Sequence, residues 1–207
     1  MRGGAITGAA RARAAAPVTD AARPVDELTG AGATMLAAVY EGDRSMPVRT
    51  LPVPQPGEGE VLLAVSHCGI CGSDLHFVVE GWSAPGTVHG HEYSGVIVAT
   101  GPGTDGWAIG DRVAGGPGRG CGECRPCTAG LAHLCTRRGW AEEAPYQGAF
   151  ATYKRLPVDQ LFRVPDGLDL RWAALAEPVA VRCAGCAARA PGRATASSSP
   201  ARGRSAC

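Results

Sequence analysis

Val61-Leu-Leu-Ala-Val-Ser66 runs directly into His67-Cys68-Gly69-Ile70-Cys71-Gly72-Ser73-Asp74-Leu75-His76. The apolar, β-branched run reads as a strand, and the glycines followed by Ser-Asp-Leu-His read as the start of a short helix over Ser73–Glu80. The polar side chains thus gather where a strand ends and a helix begins. Working outward, further apolar stretches lie at Met35–Tyr40, Val96–Thr100, Arg112–Ala114, Phe150–Arg155 and Leu161–Val164, separated by Gly/Pro clusters. The set predicts an all-β unit of short strands. A second helix is expected from Asp169, a good N-cap residue, through Leu170-Arg-Trp-Ala-Ala-Leu175, with Pro178 kinking or restarting it.

The chain has 207 residues, enough for one sizeable domain, or one domain plus tails. Its formal net charge is +1 with 19% charged residues, so no polyelectrolyte signal points to nucleic acid or an anionic membrane. No apolar run approaches the roughly 18–20 residues of a membrane span. The first residues alternate Ala, Gly and Arg without a continuous apolar core, which is no secretory signal, and a cytoplasmic location is expected. Residues 1–34 read as a disordered leader or an over-extended start, with Met35 a plausible true start. Residues 186–207 contain four Arg, no acid and no large apolar side chain, and read as a disordered tail from a frameshifted or truncated frame. That leaves 35–185 as the folded domain.

The nine cysteines stand at 68, 71, 121, 124, 127, 135, 183, 186 and 207. An odd total argues against a closed disulfide scaffold, and clustered thiols in a reducing compartment point to metal. Cys121-Gly-Glu-Cys124-Arg-Pro-Cys127, then Cys135, is the strongest local pattern. A tetrahedral Zn²⁺ takes four thiolates at about 2.3 Å, and two-residue gaps let a turning backbone aim successive sulfurs inward. Gly116, Gly118, Gly120 and Gly122 loosen the backbone, and Arg125 offsets thiolate charge. All four ligands come from one loop and leave no open position, so the expected zinc is structural, in a lobe over 115–139. Free thiols or two disulfides are the alternatives. His91-Glu92 follows the Cys71 segment at a short distance, after His89-Gly90. Cys68-x-x-Cys71 would suit a redox pair, but no thioredoxin-like βαβ pattern surrounds it.

Cys-Gly-Ile-Cys-Gly-Ser-Asp-Leu-His, Gly-His-Glu-Tyr-Ser-Gly, the four-cysteine lobe and Ala-Leu-Ala-Glu-Pro occur in the order found in zinc-dependent medium-chain alcohol and polyol dehydrogenases. From about Met35 to Gly185 the chain resembles their amino-terminal catalytic domain. The resemblance implies a mainly β, GroES-like, partly open barrel with short helices and a zinc-binding lobe. It implies that Cys71 and His91 hold a catalytic zinc, with Glu177 of Glu-Pro as a carboxylate ligand, as in the sorbitol, threonine and sugar dehydrogenase branch. Glu92 is then an outer carboxylate or an alternative ligand, so the third ligand is Glu92 or Glu177. The substrate would be a small alcohol, polyol or sugar, oxidised to a carbonyl with NAD or NADP.

Residue chemistry agrees with these roles. Three protein ligands leave a zinc position open for water or substrate. Ser73 would take the alcohol proton, or serve as a helix N-cap. His76 would extend the relay, or be an exposed polar residue. Asp74 is suited to hold the free nitrogen of His91. Cys68 reads as a small buried apolar residue, while His67 and His89 receive no role. Gly101-Pro-Gly103-Thr-Asp-Gly106 matches a nucleotide-binding string, but no helix and no ribose-binding acid follow, so it reads as a hairpin turn. The nicotinamide domain is therefore expected to be missing, and the chain alone to be inactive. The family's oligomers pair chiefly through that domain, so a monomer or loose association is expected here. A free-standing zinc-binding interaction module and a thiol redox protein are the competing classes.

Overall fold

A computed structural model describes residue 30 and residues 32–116, 120–136 and 147–189. The leader and tail expectations therefore lie largely outside the described residues, as do lobe residues 117–119 and 137–139. Strands β1 (Thr34–Ala38) and β2 (Val48–Pro52) form an antiparallel pair. A five-stranded antiparallel sheet runs in the order β6-β3-β4-β5-β7. It comprises β3 (Glu60–Gly69), β4 (Glu92–Thr100), β5 (Arg112–Gly115), β6 (Tyr153–Pro157) and β7 (Leu161–Arg163). The helices are α1 (Gly72–Val79), α2 (Arg125–Thr128), α3 (Leu170–Ala173) and α4 (Ala176–Arg189).

Val61, Leu62 and Leu63 are all fully buried, because β3 is covered on both faces. That explains its continuous apolar run in place of an alternating one. Leu62 packs with Met35, Val53, Val98 and Tyr153 on one side, while Val61 and Leu63 pack with Ile97, Val113, Leu156 and Leu161 on the other. The first cluster draws β1 against the large sheet. Ala38 N–H donates to Phe150 O at 2.8 Å and Thr152 N–H to Leu36 O at 2.9 Å. With β7 left at the opposite edge, the result is a partly open barrel.

The expected strands are present with shifted ends; the sixth begins at Tyr153 rather than Phe150. β2 escapes a reading of the sequence, because Val-Arg-Thr-Leu-Pro is mostly exposed and carries no apolar pattern. It is held by backbone pairing to β1. Gly101–Gly106 forms turns between the antiparallel β4 and β5, as expected of a hairpin connection. Asp169 caps α3 by accepting from Arg171 N–H at 2.7 Å, and the helix restarts as α4 with Pro178 in its first turn. α4 runs past Gly185 to Arg189, since alanine and arginine are strong helix formers even where no bulky apolar side chain remains.

Ile97→Ala removes a fully buried side chain from the second cluster. It is expected to cost about 2–5 kcal/mol, read from the urea midpoint. A loss within about 0.5 kcal/mol, as at surface sites, would place Ile97 outside the core.

Candidate functional site

The β3–β4 pairing builds the site. Gly69, the last residue of β3, lies opposite Glu92, the first of β4. The chain leaving β3 and the chain entering β4 are therefore neighbours, and Cys71 and His91 arrive at the same end of the sheet. Cys71 is the N-cap of α1, with an extended backbone. Asp74, 3% exposed, fastens this junction. One carboxylate oxygen accepts from Cys71 N–H at 2.9 Å; the other accepts from Gly90 N–H at 3.3 Å and stands 3.5 Å from His91 Nδ1. Burial alone would raise the Asp74 carboxyl, but the His91 imidazole and the two backbone donors win and hold it below its ordinary value. The same pairing, opposed by burial and helped by Cys71, pushes His91 up to about 9.

The ligand atoms of Cys71, His91 and Glu92 all lie within 4.8 Å of one another. Glu92 is buried and Cys71 and His91 are half-buried. Glu177 lies outside that group but within electrostatic reach of His91, Glu92 and Asp74; burial raises its carboxyl. It is carried there because Ser94 Oγ–H on β4 donates to Leu170 O at 2.5 Å, seating α3 and hence α4 over β4.

The relay residues are less well gathered. Ser73 is not the helix N-cap, since Cys71 occupies that position; it sits half-buried on the first turn of α1. His76 falls on the helix face turned away from Asp74. Its Nδ1 meets Glu80 Oε1 at 2.7 Å, and its ring stacks on Trp82 at 5.6 Å. Cys68 is half-buried, and burial pushes its thiol up to about 12, too high for a reactive thiolate in a redox pair. His89 is buried, stacked on Phe77 at 5.3 Å and hydrogen-bonded to Ser83 Oγ at 3.0 Å. His67 Nδ1 meets Ser66 Oγ at 2.9 Å.

The four lobe sulfurs also lie within 4.8 Å of one another. Cys121 N–H points to Cys135 Sγ and Cys124 N–H to Cys121 Sγ, both at 3.3 Å. Backbone N–H groups of Cys127 and Thr136 pull the Cys124 thiol below its ordinary value. A tetrahedral ion with ligands at about 2.3 Å sets its sulfurs about 3.8 Å apart. Cys124 Sγ and Cys135 Sγ stand 3.8 Å apart. Zinc thus fits both groups: four soft donors at tetrahedral spacing in the lobe, and a mixed S/N/O set in a field that favours cations at Cys71, His91 and Glu92. One buried cation, Lys154, is missed by sequence reasoning. Its only sign there is that it is the chain's single lysine, next to Arg155 in a short strand.

The alcohol dehydrogenase GroES-like domain model matches residues 57–166, more than half of the chain. The chain belongs to that family. It is 41% identical over 152 residues to the sorbitol dehydrogenase of Bacillus subtilis, covering 71% of this chain and 43% of that protein. It is 37% identical over 152 residues to the D-xylulose reductase A of Aspergillus oryzae, covering 70% of this chain and 42% of that one. A cobalt- and zinc-bound thermostable alcohol dehydrogenase from Pyrobaculum aerophilum superposes with a TM-score of 0.61 at 30% identity, covering 69% of this chain and 44% of the other. The chain therefore spans less than half the length of these relatives, and the match falls on the GroES-like domain.

Two substitutions check this geometry. Asp74→Asn removes the charge that holds His91, so the His91 titration, followed by NMR in chelator, is expected to fall from about 9 toward its ordinary value of 6.5. An unchanged titration would detach His91 from Asp74. Cys124→Ser is expected to release the lobe metal and lower the melting temperature, because structural zinc binding is folding free energy. Retention of full zinc at both groups would contradict the structural assignment.

Proposed function

We propose that this chain is the metal-binding catalytic portion of a zinc- and NAD(P)-dependent dehydrogenase that oxidises an alcohol, polyol or sugar to a carbonyl. The observation that carries the reading is the convergence of Cys71, His91 and Glu92 at the β3–β4 junction, with Glu177 nearby and Asp74 behind His91. The polyol dehydrogenases among its relatives favour this substrate class. When bound, zinc supplies Lewis acidity that makes an alcohol hydroxyl easier to deprotonate.

The protein's own residues do the rest. Asp74 engages Nδ1 of His91 and leaves Nε2 to face the ligand position. Ser73 Oγ receives the hydroxyl proton from the substrate and passes it outward. His76, with Nδ1 committed to Glu80, offers only Nε2 to that relay. Glu177 adds a carboxylate on the α4 side. The four-cysteine lobe is structural, since its ligand set is complete. Among the described residues no strand, glycine loop and helix form a nucleotide site, so hydride transfer needs an acceptor domain beside this one. The reading includes work in the cytoplasm, a reducing compartment in which clustered thiols stay available to metal.

Metal stoichiometry tests the reading. Zinc is expected to saturate both groups in the native chain and only the lobe in Cys71→Ser, with the circular dichroism of the sheet unchanged. Full zinc content in Cys71→Ser would overturn it. Polyol-dependent reduction of NAD⁺ or NADP⁺ by the 207-residue chain alone would contradict the need for a second domain.

A further inference from the structure

The segment after the lobe is laid across the backbone that delivers the dispersed ligands. Gly148 N–H donates to Val88 O at 2.7 Å, Phe150 N–H to His89 O at 2.8 Å, and Ala149 N–H to Gly90 O at 2.9 Å. Residues 147–150 thus strap residues 88–90, immediately before His91 and Glu92. The fit is close enough to demand two glycines. A Cβ on Gly148 would collide with the carbonyl of His89, and one on Gly90 would sit 2.7 Å from the Phe150 ring and 2.9 Å from Cys68 Sγ.

One side chain fixes the near end of this strap. Lys154 on β6 is 6% exposed, and its Nζ donates to Gln147 O at 2.7 Å. The same ammonium lies 5.5 Å from the centroid of the Tyr93 ring, the residue next to Glu92. Lys154 therefore touches both the strap and the β4 residue just beyond the ligands. It also lies within electrostatic reach of Cys68, which in turn feels Asp74 and Glu92. A fully exposed lysine on the same strand would hold none of these.

We infer that Lys154 is a positioning residue for the dispersed metal centre, pinning residues 147–150 over residues 88–90 so that His91 and Glu92 meet Cys71. The inference rests on Cys71, His91 and Glu92 being a metal site. It assigns the lysine no contact with metal or substrate. Its action runs through backbone, from the ammonium to the Gln147 carbonyl and from the strap to His91. The lobe, whose four ligands close among themselves, does not depend on it.

Cobalt titration of the full chain separates the two centres. The four-thiolate lobe gives an intense thiolate-to-cobalt charge-transfer band, and the mixed centre gives weaker visible bands of its own. In Lys154→Met the mixed-centre affinity, measured against a competing chelator, is expected to fall about tenfold or more, while the lobe band keeps its intensity and affinity. Lys154→Gln, which keeps a donor of shorter reach, is expected to fall in the same direction. Arg155→Met on the same strand, whose guanidinium pairs with Glu60, is expected to leave both centres unchanged. Native affinity at the mixed centre in both Lys154 variants would overturn the inference. So would equal losses at both centres with loss of the sheet, which would make Lys154 a general stabiliser. Absence of a mixed-centre band in the native chain is a different outcome, and would overturn the metal-site reading itself.

Discussion

The buried carboxylate of Asp74 is the constraint on which the site depends. Taking a carboxylate out of water is costly unless donors replace the lost hydration. Here Cys71 N–H, Gly90 N–H and the His91 imidazole replace it, and they are the groups that must be brought together to form a ligand cluster. Satisfying one charge therefore ties the start of α1 to the start of β4. The β3–β4 register brings these two ends close, and Asp74 locks them. A ligand set held in this way is preorganised, so binding energy is not spent on ordering it.

The two cysteine-bearing centres follow different logics. The lobe closes within the 15 residues from Cys121 to Cys135, and its geometry is a local property of turns and α2. The dispersed centre draws Cys71 from one strand end and His91 and Glu92 from another, with Glu177, outside that cluster, on a helix more than 80 residues later in the chain. Its three gathered ligands depend on the β3–β4 register, and Glu177 comes near because Ser94 seats α3. Local closure suits a support, whereas dispersed ligands suit a site that must leave one side open.

Strand positions are legible in the sequence because β3 and β4 are buried on both faces, so their apolar runs are long and unbroken. β2 is not, since an exposed strand is held by its neighbour's backbone and carries no pattern of its own. Both ligand clusters are legible through residue type and spacing together with the family resemblance. The hairpin nature of Gly101–Gly106 is legible because Trp107-Ala-Ile-Gly-Asp-Arg-Val113 leads into another strand and not into a helix. The roles around Cys71 are less legible. Ser73 has the chemistry of an N-cap, but Cys71 takes that place because Asp74 reaches back to its N–H. His76, read as a relay extension or an exposed polar residue, is exposed and meets Glu80 and Trp82 on the face away from Asp74. Lys154 leaves almost no trace, because a single buried cation is defined by the fold around it and not by its neighbours in sequence.

X-ray absorption at the zinc edge, on the native chain loaded with an equivalent for each centre and on Cys71→Ser, tests the central claim most directly. The native spectrum is expected to show two kinds of zinc: one bound by four sulfurs at about 2.3 Å, and one by a single sulfur with nitrogen and oxygen at about 2.0–2.2 Å. In Cys71→Ser only the all-sulfur shell is expected to remain. A native spectrum with sulfur alone, or a mixed shell that survives Cys71→Ser unchanged, would contradict a metal centre at Cys71, His91 and Glu92.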